Sequence, residues 1–194
     1  MKRIFSLLVL LTLLGAPALA QPSGDAQTVD LNSPENLLYV ELPAGRVVIR
    51  MRPDQAPDHV ARIKELTRRG FYDGLVFHRV IEGFMAQGGD PEGTGGGGSS
   101  LPDLTAEFNN LLHMRGTVSM ARSDDPDSAN SQFFIMFTRN PALDRKYTVW
   151  GRVIKGMEHV DTIARGEPPA EPTKIVSMRI AADVMAEQRA AMPE

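Results

Sequence analysis

The sequence FHRVIEGFMAQGGD, residues 77–90, carries the first information about both fold and function. Aromatic and β-branched residues on both sides of Arg79 predict a strand, yet arginine is rarely buried unless it is paired. In a regular strand, alternation places Arg79 on the same face as Phe77. The spacing leaves two roles open for Arg79: a structural ion pair with a carboxylate such as Glu82 or Asp90, or a functional donor on the surface.

Short β-rich sequences separated by turn signals extend in both directions from this stretch. A hairpin is predicted around Pro43-Ala44-Gly45, and two amphipathic helices are each closed by a glycine. Together these elements favour a closed or sandwiched antiparallel sheet capped by helices. Other strands are predicted at residues 75–81, 85–88, 116–121, 132–137, 148–154 and 173–180, and the helices at residues 56–70 and 156–166.

The N-terminal residues 1–20 have the features of a cleaved signal peptide. A basic start precedes an apolar sequence that is short for a membrane span, and Ala18-Leu19-Ala20 fits the small-x-small cleavage rule. An uncleaved anchor is the alternative. We expect an exported, periplasmic protein with no stable membrane anchor after cleavage. The expected parts are a flexible lead at residues 21–36, a domain at residues 37–180, and a tail at residues 181–194 that is a frayed helix or disordered.

Charge and composition exclude several functions. The formal net charge of −3 becomes more negative once the basic start is removed, which argues against nucleic-acid partners. The chain contains no cysteine, so disulfides, thiol chemistry and cysteine-based zinc sites are excluded. The four histidines lack the spacing of a helical metal site, and neither a metal nor a cofactor is expected.

The glycine-rich residues 93–98 formally match the dinucleotide-binding pattern G-x-G-x-x-G. That pattern requires a strand before the loop and a helix after it. Here Pro91 precedes the loop and Ser99-Ser100-Leu101-Pro102 follows it, and no lysine stands where a phosphate loop needs one. The sequence therefore predicts a mobile surface loop.

Alternation in two other strands predicts an outer surface that includes polar donors. Met85 and Gln87 share one face of their strand. A later strand has one face that can fill a core and another that offers an apolar patch, edged by amide and guanidinium donors. The patch face carries Gln132, Phe134 and Met136, and the core face carries Phe133, Ile135 and Phe137.

Several sequence blocks, in this order, resemble the cyclophilin family of peptidyl-prolyl cis–trans isomerases, and in particular its exported bacterial branch. The blocks are FHRVIEGFMAQGGD, the glycine loop, AEF, GTVSMA, NSQFFI and VWGRV, within residues 37–180. The resemblance implies a mainly β fold, a closed eight-stranded antiparallel barrel with one helix closing each end. It also implies a monomeric enzyme that rotates X–Pro bonds in unfolded or extended polypeptides and assists the folding of exported proteins.

The resemblance implies a role for each matching residue. Arg79 is the catalytic arginine, and Gln87 and Gln132 hold peptide carbonyls or position Arg79. His78 borders the groove. The proline pocket consists of Phe84, Met85, Phe134 and Leu143, and the substrate backbone pairs with Ala121 and Arg122.

Three positions depart from the pattern of eukaryotic cyclophilins. Ala142 stands where they carry a tryptophan on the groove wall, and Tyr147 stands at the groove where they carry a histidine. Loss of the indole removes an apolar wall and an N–H donor, so weak cyclosporin binding is expected, with isomerase activity retained. Arg122 replaces a small polar residue, which favours acidic peptides.

A second function is a binding module that captures proline segments without turnover. Such a module needs Phe84 and Phe134 but does not need Arg79. The complete set of donors favours the enzyme, and the acidic net charge disfavours a third function, nucleic-acid binding.

Overall fold

The hairpin predicted at Pro43-Ala44-Gly45 joins the first two strands of an eight-stranded antiparallel sheet. This computed structural model describes residues 29–192; the predicted signal peptide and residues 21–28 of the lead lie outside the described residues. Among the described helices, none is both long and apolar enough to cross a bilayer. The strands are β1 (Leu37–Leu42), β2 (Gly45–Met51), β3 (Arg79–Ile81), β4 (Met85–Gly88), β5 (Thr117–Met120), β6 (Phe133–Met136), β7 (Val149–Lys155) and β8 (Ser177–Ile180), and the helices are α1 (Pro57–Arg68), α2 (Met157–Val160) and α3 (Ala181–Ala190).

The sheet curls into a half-barrel with the strand order β3-β4-β6-β5-β7-β2-β1-β8. The outer strands β3 and β8 of the described sheet form no ladder with each other, so the prediction of a closed barrel is wrong. Isolated bridges join Val76 to Lys174 and Val80 to Gly166 instead. The consecutive prolines Pro168-Pro169 follow the second bridge, and because proline has no N–H group, this segment cannot continue a ladder beside β3.

A large cluster of buried side chains forms the core against the sheet. Phe133 on β6 makes edge-to-face contacts with Tyr72, Phe77 and Trp150, at centroid distances of 5.8, 6.3 and 6.0 Å. The first helix forms as predicted, and its apolar stripe faces this core. The buried stripe consists of Val60, Ile63 and Leu66.

The start of β3 corrects the predicted alternation around Arg79. Phe77 is fully buried in the core, whereas Arg79 is partly exposed, so the two residues do not share a face. Regular strand structure begins only at Arg79. Phe77 lies before it, where its N–H donates to the carbonyl of Thr173 at 3.0 Å. This irregular entry allows the arginine to emerge on the outer face while its neighbour fills the core.

The second predicted helix is shorter than the sequence pattern indicated, because α2 ends at Val160. The Thr162 hydroxyl donates to the carbonyl of His159 at 2.8 Å, in competition with the helical hydrogen bond. The N–H groups of Thr162 and Ile163 then make tighter i→i+3 bonds, at 3.2 Å each. Ile163 is still fully buried, so a turn replaces the helix without loss of its core contact.

Both ends of the described chain pack near α1. Ser33 caps a short 3-10 turn at Pro34–Asn36, so this part of the lead is structured. The tail forms α3, and Arg68 on α1 binds both Glu35 and Asp183, at 2.9 and 3.0 Å. Within residues 29–192 the sheet is therefore accompanied by the two amphipathic helices and by α3, where the sequence had left a frayed helix or disorder open for the tail.

Candidate active site

Three adjacent strands bring predicted site residues to one outer face of the sheet. The register of β3, β4 and β6 pairs Arg79 with Gln87, and Gln87 with Phe134, so these side chains form a row. Met85 and Met136 pair with each other two residues along the strands. Together with Phe134 they form a buried apolar cluster that is separate from the main core.

A cavity of about 120 Å³ lies at this cluster, and all of its lining residues are among the predicted site residues. An adjoining cavity of about 460 Å³ is lined by the glycine loop and includes the predicted Gln132. The smaller cavity, called the groove below, is lined by Arg79, Phe84, Met85, Gln87, Ala121, Arg122, Phe134, Leu143 and Tyr147.

A chain of side-chain amides links Arg79 to the glycine loop. The Arg79 Nη1 group approaches Gln87 Oε1 at 3.4 Å, and Gln87 Nε2 donates to Gln132 Oε1 at 2.9 Å. Gln132 Nε2 in turn donates to the carbonyls of Gly95 and Gly97, at 3.0 and 2.8 Å. Because each amide donates in one direction and accepts in the other, the chain fixes the orientation of both glutamines.

The glycine loop is tied to the fold by Asp90, which is 1% exposed. Its carboxylate accepts hydrogen bonds from the N–H groups of Glu92, Thr94 and Gly95, at 2.9, 2.9 and 2.6 Å. Burial opposes ionisation, but these backbone donors outweigh it and hold the pKa of Asp90 below its usual value. The loop that had been predicted to be mobile therefore has a buried anchor.

Phe134 is held from two sides. The His113 ring stacks on it at a centroid distance of 6.1 Å, and Tyr147 packs edge-on at 5.6 Å. His113 Nδ1 lies 3.1 Å from Asp144 Oδ1, and its Nε2 lies 2.9 Å from the Ser119 hydroxyl. The sequence had brought His113 to notice only as a possible metal ligand, and its contact with Phe134 depends on tertiary packing.

Glu167 is a site residue that sequence reasoning missed. Its Oε2 accepts a hydrogen bond from Arg79 Nε at 2.8 Å. The two carboxylates proposed from spacing are engaged elsewhere, because Glu82 pairs with Arg165 and Asp90 binds the glycine loop. Glu167 is 88 positions from Arg79, and no local pattern in the sequence indicates that they meet.

Ala121 and Arg122, which were predicted to pair with the substrate backbone, form hydrogen bonds within the protein. The Ala121 N–H donates to the carbonyl of Gln132 at 2.9 Å, so that amide is not free to pair with a substrate. The Arg122 guanidinium lies 4.6 Å from the centroid of Tyr147 and donates to the carbonyl of Lys146 at 2.9 Å. Arg122 therefore lines the groove in a fixed position, with its charge shared between a ring face and a carbonyl.

Two other positions singled out by the sequence lie outside the groove lining. His78, predicted at the groove border, is 4% exposed, and within residues 29–192 neither ring nitrogen has a hydrogen-bond partner. Ala142 is exposed on the 3-10 turn Pro141–Leu143, where its N–H donates to Asn140 Oδ1 at 3.1 Å. In the described part of the chain, no group of three or more His, Asp or Glu side chains is arranged to hold a metal ion.

Acid is expected to destabilise the fold before the ordinary carboxylates titrate. Burial lowers the pKa of His59, His78 and His113, which favours their neutral forms in the folded state. A histidine whose pKa is lowered by folding stabilises the folded state at pH values above its unfolded-state pKa of about 6.5. This stabilisation is lost as the pH falls. Asp144, with its pKa lowered to about 2 chiefly by Arg139, adds a further loss below pH 4.

Urea unfolding at pH 8, 6 and 4.5 checks this expectation. The urea concentration at the unfolding midpoint should fall steadily as the pH is lowered. In a His59→Gln variant this fall between pH 8 and 4.5 should be smaller. His159→Gln, at a partly exposed histidine, is the matched control and should follow the parent. A midpoint independent of pH over this range would contradict the assignment.

The chain is similar to known prolyl isomerases over most of its length. The family model described as cyclophilin type peptidyl-prolyl cis-trans isomerase/CLD matches residues 37–180. A probable peptidyl-prolyl cis-trans isomerase of Brucella suis is 46% identical, with 88% of this chain and 95% of that protein covered. Peptidyl-prolyl cis-trans isomerase B of Bacillus subtilis is 41% identical, with 63% of this chain and 85% of that protein covered.

Solved structures agree with this relationship. Cyclophilin AquaCyp293 from Hirschia baltica superposes with a TM-score of 0.72 at 34% identity, with 77% of this chain and 75% of that chain covered. A cyclophilin-type isomerase of Cryptosporidium parvum, crystallised in the presence of the dipeptide Ala-Pro, gives a TM-score of 0.70 at 30% identity, with 74% and 98% covered. The half-barrel and its groove thus define a protein of the cyclophilin family, to which this chain belongs. Its activity is cyclophilin-type peptidyl-prolyl cis–trans isomerisation.

Proposed function

We propose that Arg79 catalyses this reaction by donating a hydrogen bond to the proline nitrogen as the peptide bond twists. The planar bond is held by resonance behind a barrier of ~18–20 kcal/mol. A twisted bond has a more basic, pyramidal nitrogen, so a donor aimed at that lone pair binds the transition state better than the ground state. Arginine suits this role because it stays protonated and its donors are fixed in a plane.

The position of Arg79 in the groove lining, together with Phe84 and Phe134, is the observation that carries this proposal. Its Nε group binds Glu167 and its Nη1 group approaches Gln87. Within residues 29–192 the hydrogen bonds of this side chain come from Nε and Nη1 only, so Nη2 is left as a donor for a substrate. We propose that Phe84 and Phe134 clamp the proline ring while the preceding carbonyl rotates. No nucleophile or general base is required, because no covalent bond changes.

Exchange NMR on an Ala-Pro-containing tetrapeptide tests the proposal. Catalytic amounts of the protein should give cis–trans exchange cross-peaks within a second, whereas the uncatalysed exchange takes tens of seconds or longer. The peptide should shift the amide signals of Gln87 and Phe134. Binding without accelerated exchange would instead identify a module that captures proline segments.

Glu167 is expected to position Arg79 rather than to stabilise the fold. The two side chains are 42% and 52% exposed, and exposed ion pairs contribute little to stability. Glu167→Ala should lower kcat/KM about three- to tenfold with KM unchanged, because the guanidinium loses one of its two anchors. Glu167→Gln, which keeps an acceptor oxygen, should recover most of the loss.

Glu82→Ala provides the matched control, since it breaks the neighbouring Arg165–Glu82 pair without touching Arg79. An unchanged kcat/KM in Glu167→Ala, or an equal loss in Glu82→Ala, would contradict the positioning role.

We further propose that this protein binds cyclosporin weakly because Ala142 provides neither an apolar wall nor an indole donor. Ala142 is exposed beside Leu143, which does line the groove. Ala142→Trp should raise cyclosporin affinity by about tenfold or more while kcat/KM for a short peptide changes little. Fluorescence titration with cyclosporin measures the affinity of the parent and of the Ala142→Trp variant. A variant that binds the drug no better than the parent would contradict the role of this position.

The cellular role that we propose is assistance to the folding of exported proteins, by a monomer in the periplasm. The predicted signal peptide supports the location, since it directs export. The slow rate of X–Pro isomerisation supports a role in folding, because this step can limit refolding. Fractionation and N-terminal sequencing test it: the protein should appear in the periplasmic fraction and begin at Gln21. Retention of residues 1–20 would contradict export with cleavage, without bearing on the isomerase chemistry.

A further inference from the structure

A second concave surface lies on the outer face of β2, β5 and β7, away from the groove. It is a cleft of about 380 Å³, and no Asp or Glu of the described chain lines it. We infer that this cleft binds an extended polypeptide segment of another protein in which a carboxylate is flanked by apolar side chains. The groove lining shares no residue with the cleft lining.

Two arginines give the cleft its charge. Arg50 on β2 lies directly opposite Arg152 on β7, and like charges in this arrangement are unfavourable for a sheet by themselves. Within residues 29–192 neither guanidinium forms a salt bridge, and Arg50 Nε is buried without a hydrogen-bond partner. Arg52, in the same cleft, is different because Asp54 already accepts both of its donated bonds, at 2.6 and 2.7 Å. The two unpaired arginines therefore suit a bound carboxylate, which would accept charge-assisted hydrogen bonds.

The rim of the cleft is unusually apolar for a protein surface. Leu112, Met114 and Ile154 are 51%, 38% and 43% exposed, and all three line the cleft. Single exposed apolar residues are normal, but several around one concavity indicate a contact surface. Apolar side chains around a charged pair thus specify the chemistry of the segment: acidic at its centre and apolar on both sides.

The loop at residues 111–114 lies between the cleft and the groove, which favours a polypeptide as the occupant. His113 in this loop stacks on Phe134 of the groove, while its neighbours Leu112 and Met114 line the cleft. Neighbouring residues of this loop therefore contact both concavities. Leu31 of this protein's own lead is part of the cleft lining. Residues 21–28, QPSGDAQT, carry one carboxylate and almost no apolar side chains, so their composition does not match an acidic segment flanked by apolar residues.

Fluorescence anisotropy with a proline-free probe tests the inference on the mature protein. The probe is a fluorescein-labelled peptide Leu-Glu-Leu-Phe-Glu-Leu, compared with its analogue in which glutamine replaces both glutamates. We expect saturable binding of the acidic probe and at least about tenfold weaker binding of the analogue, because the charge-assisted bonds are lost. Binding should survive in Arg79→Ala, so the result does not depend on the proposed catalytic role.

Matched variants locate the site. The double variant Arg50→Gln/Arg152→Gln should weaken binding about tenfold or more, and Leu112→Ser several-fold. Arg189→Gln, at an exposed arginine of α3, and Val176→Ser, at a valine that is 56% exposed, should bind like the parent.

Amide NMR shifts distinguish binding of the probe in the cleft from binding elsewhere, and from occupation of the cleft by this protein's own chain. Probe-induced shifts at Leu112, Met114 and Arg152 would support the inference. Absence of saturable binding, shifts confined to the groove, or equal weakening by the control variants would overturn it. So would contacts between the cleft and residues 21–28, or cleft shifts that appear on raising the protein concentration alone, since these would assign the surface to the chain itself or to a second copy.

Discussion

An Arg79→Ala variant is expected to lose about two to three orders of magnitude in kcat/KM for a proline peptide, while its fold is retained. The estimate follows from the effect of removing one preorganised donor that acts mainly in the transition state. Arg79 contributes little to stability, because its side chain is 42% exposed and its ion pair with Glu167 is on the surface. The loss should appear in kcat, with KM changed much less, since Phe84 and Phe134 still bind the proline ring.

Arg165→Ala is the control for this variant. Arg165 binds Glu82 at 2.7 Å, lies over the Phe137 ring at 4.2 Å and does not line the groove. Its removal should leave kcat/KM within about twofold of the parent, as expected for a surface substitution. Exchange spectroscopy gives the rates, and near-ultraviolet circular dichroism reports on packing around Trp150. Parent-like rates in Arg79→Ala would exclude the proposed role.

An Asp90→Ala variant is expected to lose about 2–4 kcal/mol of unfolding free energy, because the substitution removes the acceptor of several backbone N–H groups at once. Activity should fall as well. The carbonyls of Gly95 and Gly97 hold Gln132, so disorder in the loop releases the amide chain that ends at Arg79. Asp90→Asn, with one acceptor oxygen retained, should lose less in both measurements.

Asp124→Ala is the matched control, since Asp124 is exposed in the loop before β6. It should unfold at the parent's urea concentration and retain full activity. Urea titrations followed by Trp150 fluorescence give the free energies. If Asp90→Ala unfolded like the parent, the buried carboxylate could not be the anchor of the loop.

Strand alternation correctly separated the two faces of β6, because it is a local property. Gln132, Phe134 and Met136 share a face simply because side chains alternate along β6. Alternation failed at Phe77 and Arg79, where the chain enters β3 irregularly and a bond to Thr173 fixes Phe77 in the core. The same local logic correctly predicted α1 but overextended α2, where the Thr162 hydroxyl competes with the helix.

The sequence by itself determined the family and the short antiparallel strands, since these follow from motifs and local periodicity, and the family resemblance named the side chains predicted at the groove. Only the tertiary structure decided how the site is held. Glu167 reaches Arg79 across 88 positions, His113 packs behind Phe134, and Asp90 anchors the glycine loop. It also decided that β3 and β8 stay unjoined and that Arg50 and Arg152 meet in one cleft. Such contacts join residues far apart in the chain, and their geometry depends on strand order and register, which no local pattern encodes.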